Sequence, residues 1–324
     1  MLPLKRLGEG VYQEQEYESQ DHFQFVVTTE PNTISWDIMR TIEAVFYFHP
    51  NAKVTIHSNS ISARDSNLDI FAEAGYNFEI KPYSFEQLFE SASYLSQEEK
   101  GLFLDRLEMQ SKQQHWYTHE ADLVKLLVLE RNGGVMMDTD MHLVKPLPKS
   151  FTNVAAWRDE KNEKIGTAML MLEKHNPFLQ EVLKDAIDIS NNHYNRGKSL
   201  ECVKFSLKLR MRTNPYFSSS CVPSSSDWYD IFGQDLFSEH FLRTQKGTKD
   251  IQVLTHELFY PFEIEDECFT MNKEIHEPID EKFTFAVHMK PKPNMQAPMS
   301  GSLCEELLME QCIFCGELVV QKIS

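Results

Sequence analysis

One stretch near the middle of the chain, THEADLVKLLVLERNGGVMMDTDMHLVKP at 118–146, constrains the fold more than any other. Its leucines recur at helical spacing, and Asn132-Gly133-Gly134 then provides a left-handed stop to the helix. The apolar residues 134–137 are too few for a helix and predict a short buried strand. Asp138 and Asp140 follow at once. Because ligands of open α/β sheets collect beyond the carboxyl ends of strands, we expect both carboxylates at the mouth of a cleft.

Two aspartates separated by one residue favour a hard divalent cation, since oxygen ligands suit magnesium and manganese. Such a site leaves coordination positions for the phosphates of a substrate. In a regular strand the two side chains would point to opposite faces. Asp138 and Asp140 can therefore share one cation only if the chain turns at Thr139, or if one of them binds through water. Taken alone, the tripeptide is also compatible with a solvated loop.

The helix before the strand carries a second pair of charged residues. Asp122 and Lys125 are three residues apart, so they lie on one helical face. One interpretation is a surface ion pair that contributes about 0.3 kcal/mol to stability. The other is a second pair of ligand contacts beside the metal carboxylates.

These motifs together resemble the sugar-binding region of one family, the retaining glycosyltransferases that include α1,4-galactosyltransferases and α1,4-N-acetylglucosaminyltransferases. That family has Ser-Asp, an Arg three residues after the Asp, a hydrophobic helix, Gly-Gly, a short strand and Asp-Thr-Asp. The chain has the same offsets, with Ala121-Asp122, Lys125, Gly133-Gly134 and Asp138-Thr139-Asp140. Lys125 stands where the family has Arg, which keeps the charge but loses the planar fork that grips an oxygen pair.

The resemblance implies a GT-A-type α/β fold with a mixed central sheet flanked by helices. It implies a hexosyltransferase that moves galactose or N-acetylglucosamine from a UDP-sugar to a glycan or glycolipid acceptor, with an α-linkage. Mn²⁺ or Mg²⁺ would be held by Asp138 and Asp140, while Asp122, Lys125 and Asp138 would contact the donor. The alternatives are a catalytically weak or inactive nucleotide-sugar-binding protein of the same fold, and an enzyme of nucleotidyl transfer, which also uses paired aspartates.

Further site residues are predicted at strand ends. Thr28, Thr29 and Glu30 lie at the end of the first predicted strand, 23–29, and are expected to seat the uridine, although ordinary loop polarity also explains them. The strand at 283–288 ends in His288, as a strand does at this point of the family, so the resemblance implies a third metal ligand there.

The resemblance also marks Gly166 and Thr167 as acceptor-side residues, in a strand where the family has Asn-Gly and this chain has Ile165-Gly166. The sequence marks no carboxylate as a nucleophile, so the catalytic residue is not identified.

Composition excludes some classes of protein. The formal net charge of −17 argues against nucleic acid as a partner, because the chain would repel its phosphates. The sequence has no apolar run of about 18 residues, so no membrane span is expected. The family resides in the Golgi lumen behind an N-terminal anchor, which implies that location if an anchor is missing from this sequence. The cytoplasm is the alternative. The pairing of the six cysteines stays open.

The predicted domain organisation has three parts. Residues 1–20 form a polar extension, residues 21–292 form the glycosyltransferase domain, and residues 293–324 form a tail with a short helix. The domain divides into a nucleotide-sugar half at about 21–147 and an acceptor half at about 148–292.

Overall fold

The computed structural model of the protein describes residues 21–28, 36–61, 68–111, 116–159, 161, 163–193, 232–244, 250–262, 268, 283–289 and 300–314. The predicted N-terminal extension and the predicted site residues Thr29 and Glu30 lie outside these ranges.

The described residues contain the following strands and helices in chain order. The strands are β1 (His22–Val26), β2 (Lys53–His57), β3 (Asn77–Lys81), β4 (Gly134–Met137), β5 (Met141–Leu143), β6 (Val154–Asp159), β7 (Lys164–Leu172), β8 (Gln252–Leu254) and β9 (Ala286–His288). The helices are α1 (Trp36–Phe48), α2 (Asp69–Glu73), α3 (Phe85–Glu90), α4 (Gln97–Gln110), α5 (Trp116–Asn132), α6 (Pro177–His193), α7 (Gln234–Thr244), a 3-10 turn (His256–Leu258) and α8 (Leu303–Glu310).

Seven strands form the central sheet, in the order β3-β2-β1-β4-β7-β6-β8. Strand β7 runs antiparallel to both of its neighbours, and the other pairs are parallel. The carboxyl ends of β1, β4 and β6 therefore lie at one edge of the sheet. One apolar core packs α3 to α7 on one face, and a second packs α1 and α2 on the other. The predicted mixed α/β sheet flanked by helices is confirmed.

The two predicted halves of the domain share this sheet. Strand β4 of the first half pairs with β7 of the second, from Gly134 opposite Leu172 to Met137 opposite Met169. All four residues of β4 are buried, as the apolar run of the sequence predicts. The Asp-x-Asp segment thus leaves the sheet at the strand that joins the two halves.

A small second sheet pairs β5 with β9 in antiparallel register, with Met141 opposite His288. A disulfide joins Cys268 to Cys304, and Cys304 lies in α8. The short helix predicted in the C-terminal tail is therefore tied to the residues before β9. Among the described residues, we find no helix with the length and apolar character that a membrane crossing requires.

Candidate metal and donor site

The Asp-x-Asp segment forms a tight turn between β4 and β5. The Asp138 amide donates to the carbonyl of Ala168 on β7 (2.7 Å), and the Met141 amide donates back to the Asp138 carbonyl (3.0 Å). From helix α1, the hydroxyl of Thr41 donates to the carbonyl of Thr139 (2.8 Å). The chain therefore turns at Thr139, which is the condition under which both carboxylates can share a cation.

Strand β9 brings His288 to the same turn. The Met289 amide donates to the carbonyl of Asp140 (2.8 Å), and Nε2 of His288 lies 3.2 Å from Oδ1 of Asp140. One ligand atom from each of Asp138, Asp140 and His288 lies within 4.8 Å of the others. Two carboxylates and an imidazole suit Mn²⁺ or Mg²⁺ by their chemistry, so the residues fit the predicted cation.

Lys125 links this cluster to helix α5. Its Nζ lies 2.9 Å from Oδ1 of Asp122 and 2.8 Å from Oδ1 of Asp138. Burial lowers the pKa of Lys125, but the two carboxylates raise it by more, so the net shift is upward and the ammonium stays charged. Asp122, Asp138 and Asp140 bring three carboxylates to this cluster, and carboxylate oxygens are ligands that a divalent cation prefers.

The structure thus brings together five of the residues that the sequence singles out. They are Asp122, Lys125, Asp138, Asp140 and His288. Thr28 follows β1 by two residues, and its hydroxyl donates to the carbonyl of Tyr117 in the first turn of α5 (2.9 Å). The uridine contact assigned to Thr28 stays a prediction.

The two predicted acceptor-side residues lie on β7. Gly166 is buried and Thr167 is half-buried. A Cβ on Gly166 would come within 2.1 Å of the hydroxyl oxygen of Tyr260, so this tyrosine covers the glycine. Their contact with an acceptor stays a prediction.

Sequence reasoning missed several residues that the fold places at the site. Gly233, just before α7, lies against Asp122, since a Cβ there would be 2.6 Å from Oδ2 of the carboxylate. Arg158, at the carboxyl end of β6, donates to Oε1 of Gln234 (2.9 Å). Tyr260 follows the 3-10 turn at His256–Leu258 and covers Gly166 of β7. The only sequence signal for its contact was a glycine inside an apolar strand pattern, which indicates close approach of another group.

Comparison with known proteins agrees with the site. Residues 35–163, about two fifths of the chain, match the family model described as a glycosyltransferase sugar-binding region containing a DXD motif. This range includes Thr41, Asp122, Lys125 and both aspartates of the turn. No curated protein is significantly similar to the chain.

Solved structures resemble the chain at low identity. The PaToxG glycosyltransferase is 16% identical, with 70% of each chain covered and a TM-score of 0.44. The UDP-bound glycosyltransferase domain from the YGT toxin is 11% identical, with 73% of this chain and 79% of that one covered and a TM-score of 0.47. The glycosyltransferase GlyE of Streptococcus pneumoniae TIGR4 is 8% identical over 91% of this chain and 60% of that one, with a TM-score of 0.41.

The family match over the helix, the strand and the Asp-x-Asp turn confirms the prediction that this protein is a glycosyltransferase.

Proposed function

We propose that the protein is a metal-dependent, retaining glycosyltransferase that takes a hexose from a UDP-sugar. The observation that carries the proposal is the convergence of Asp138, Asp140 and His288 within 4.8 Å, at the carboxyl edge of the sheet. UDP is the nucleotide that the resemblance of residues 118–146 implies.

Each residue of the cluster has a distinct role in this proposal. Asp138, Asp140 and His288 hold Mn²⁺ or Mg²⁺, which when bound offsets the negative charge that develops on the departing diphosphate. Asp140 immediately precedes β5 and accepts a hydrogen bond from the Met289 amide, so the pairing of β5 with β9 holds Asp140 and His288 next to each other.

Asp122 and Lys125 form the donor-sugar side of the pocket. The ion pair between them holds the Asp122 carboxylate in one position, from which it can accept hydrogen bonds from the hydroxyl groups of a sugar. Because Lys125 also bonds to Asp138, the sugar-binding side and the metal-binding side form one connected network. Fixed polar groups of this kind position a donor without reorganisation during the reaction.

The finer assignments extend the same proposal. The transferred sugar would be galactose or N-acetylglucosamine, and the acceptor a glycan or a glycolipid, with an α-linkage formed. The Cys268–Cys304 disulfide supports a compartment that permits disulfides, such as the Golgi lumen.

The test is release of UDP from a panel of UDP-hexoses, with Mn²⁺, with Mg²⁺ and with EDTA. We expect release only with a divalent cation, and we expect Asp140→Asn to lower it by at least about 100-fold. Asp188→Asn, an exposed carboxylate on α6, is the matched control and should retain full activity. Equal release by wild type and Asp140→Asn would remove the mechanism, and release of pyrophosphate in place of UDP would indicate nucleotidyl transfer.

One observation favours a second function, that of a nucleotide-sugar-binding protein with weak or no turnover. The charge of Lys125 is already shared between two carboxylates, so less of it is available to a diphosphate than from an unpaired cation. Calorimetry with UDP and Mn²⁺ separates the two functions. Binding without UDP-sugar turnover across a panel of acceptors would favour the binding protein.

A further inference from the structure

Strand β7 contains a glycine where the sheet is buried on both faces. Gly166 lies opposite Ala156 of β6, inside a strand whose other residues are almost all apolar. The space in which its side chain would stand is taken by the end of the Tyr260 ring. A Cβ on Gly166 would be 2.1 Å from the Tyr260 hydroxyl oxygen and 2.2 Å from Cζ. Glycine in a strand interior weakens the strand and often marks such a close approach. The space beside Gly166, which we call its notch, therefore holds the end of the Tyr260 ring.

Tyr260 reaches from this notch to the metal-site histidine. Its ring centroid is 5.8 Å from that of His288, with an interplanar angle of 83°. This edge-to-face arrangement is one of the two that aromatic pairs prefer. The backbone keeps the pair together, because the Tyr260 amide donates to the His256 carbonyl (2.7 Å) and the Phe285 amide donates to the Leu258 carbonyl (2.8 Å). The segment that carries Tyr260 is thus bonded to the residues that lead into β9.

The phenol end of Tyr260 lies within electrostatic reach of the rest of the site. Burial raises the pKa of its hydroxyl and Asp138 raises it further, while Arg158 and Lys125 lower it. Tyr260 is therefore a buried ring that contacts His288 and lies within electrostatic reach of Asp138 and Lys125.

We propose that Tyr260, held in the notch of Gly166, is a positioning residue that orients the His288 imidazole toward the cation held with Asp138 and Asp140. The inference rests on the proposed function, because it requires a cation at that cluster. A ligating imidazole must keep one ring orientation, and the groups packed around metal ligands commonly change metal affinity by about 10-fold to about 100-fold when they are removed. Edge-to-face packing supplies that orientation here without a charge.

The experiment measures Mn²⁺ affinity by titration calorimetry in the whole chain, without donor. We expect Tyr260→Leu, which removes the ring, to weaken Mn²⁺ binding by about 10-fold. Tyr260→Phe keeps the ring and should stay within about 3-fold of wild type. Gly166→Ala, which fills the notch and displaces the ring, should weaken binding as Tyr260→Leu does.

Two matched controls separate positioning from general loss of packing. Phe259→Leu removes a buried ring at the adjacent position, where Phe259 packs against Phe151. Gly101→Ala adds the same methyl at a helical glycine with nothing within 4 Å of the new Cβ. Both controls should bind Mn²⁺ as wild type does. The thermal midpoint of each metal-free variant shows how much stability was lost.

A spectroscopic signature completes the test. Electron spin-echo spectra of bound Mn²⁺ should show magnetic coupling between the metal and an imidazole nitrogen in the wild type and in Tyr260→Phe. This coupling should be weaker in Tyr260→Leu and Gly166→Ala. If Tyr260→Leu and Gly166→Ala both keep wild-type Mn²⁺ affinity and nitrogen coupling, this inference is overturned and the proposed function is not. Failure of the wild-type protein to bind Mn²⁺ would overturn the metal-dependent function and this inference with it.

Discussion

At the scale of single residues, the ammonium of Lys125 shows how one buried charge holds two others. It bonds to Asp122 at 2.9 Å and to Asp138 at 2.8 Å, and its side chain is only 10% exposed. Removing one partner of a buried ion pair costs more than the pair contributes, because the remaining charges lie unpaired in a poorly solvated place. Lys125 is therefore expected to matter to the stability of the fold as well as to the proposed donor site.

Replacing this lysine gives a prediction with two arms. We expect Lys125→Met to lower the free energy of unfolding by about 3 kcal/mol, since it leaves both carboxylates without their cation. Lys125→Arg keeps the charge and introduces the residue found in the resembling family. It should therefore lower the free energy of unfolding by less than about 1 kcal/mol. Urea denaturation of both variants at neutral pH measures the difference. Equal losses would show that the charge of residue 125 is not what matters.

A second residue-scale prediction concerns acid stability through His57 at the end of β2. Burial is the largest cause that lowers its pKa, and together with the nearby His22 and Lys81 it brings the pKa of His57 to about 3. In the unfolded chain the pKa is near 6.5, so the unfolded state binds the proton first. The stability that neutral His57 permits is present above about pH 6.5 and is lost as the pH falls toward about 3.

The variant His57→Gln isolates this effect, because glutamine can still donate to Oε1 of Gln24, which lies 3.3 Å from Nε2 of His57. Between about pH 7 and about pH 4.5, we expect the wild type to lose about 2 kcal/mol more stability than His57→Gln. Denaturant melts across that range measure the two slopes.

At the scale of secondary-structure elements, agreement with the sequence is best where local signals are strong. The sequence pattern predicts strands at 53–57, 77–81 and 134–137 and a helix at 97–110, and the structure has all four. Ser96 caps the start of that helix in a reciprocal capping box with Glu99, which the spacing of the two residues predicts. The spacing of Ser84 and Gln87 predicts a helix near 85–94, but α3 ends at Glu90, where the Ser91 hydroxyl donates to the Leu88 carbonyl. Such side-chain bonds compete with continued helix.

Helix α1 contacts the Asp-x-Asp turn through the hydroxyl of Thr41, and this contact gives a prediction at the scale of the element. Thr41→Val keeps the shape but removes the hydrogen bond to the Thr139 carbonyl. We expect a loss of about 1 kcal/mol in stability. Because the turn is then held less firmly, we also expect a loss of about 3-fold in Mn²⁺ affinity.

The matched variant for that experiment is Thr55→Val in β2. Thr55 is a buried threonine whose hydroxyl bonds to Glu79 and lies 3.0 Å from Nε2 of His22. It should lose a similar amount of stability with no change in Mn²⁺ affinity. If Thr41→Val binds Mn²⁺ as tightly as Thr55→Val does, then α1 does not support the Asp-x-Asp turn.

At the scale of the whole molecule, the two halves of the predicted domain meet at the donor side of the site. Gly233 precedes α7 and lies against Asp122 of α5, and the neighbouring Phe232 packs edge-on against His119 of α5 at 5.3 Å between ring centroids. Residues of the second half therefore border the proposed donor site, whose charged residues come from the first. If that site binds the donor, we expect binding to depend on how the halves pack.

A single methyl at that contact gives the last prediction. Gly233→Ala would place a Cβ 2.6 Å from Oδ2 of Asp122 and so push the carboxylate away from Lys125. We expect the KM for the UDP-sugar to rise by about 10-fold, with a smaller change in kcat. Gly101→Ala in α4 is the control, and it should be neutral or stabilising by about 0.5 kcal/mol because alanine favours a helix. An unchanged KM for the UDP-sugar in Gly233→Ala would contradict the claim that Gly233 borders the donor site.

The sequence by itself determined the parts of this site that depend on short spacings. Asp122 and Lys125 share a helical face because they are three apart, and Asp138 and Asp140 leave a sheet edge because they follow a short apolar strand. His288 was found only through the family resemblance, since a histidine at a strand end carries no local signal of its own.

Only the tertiary structure decided which distant residues complete the pocket. The turn at Thr139 brings Asp138 and Asp140 to His288, the notch of Gly166 admits Tyr260, and Gly233 closes on Asp122. Each of these contacts joins residues far apart in the chain. Their approach is set by strand register and by close packing of buried side chains, and neither leaves a periodic pattern in the sequence.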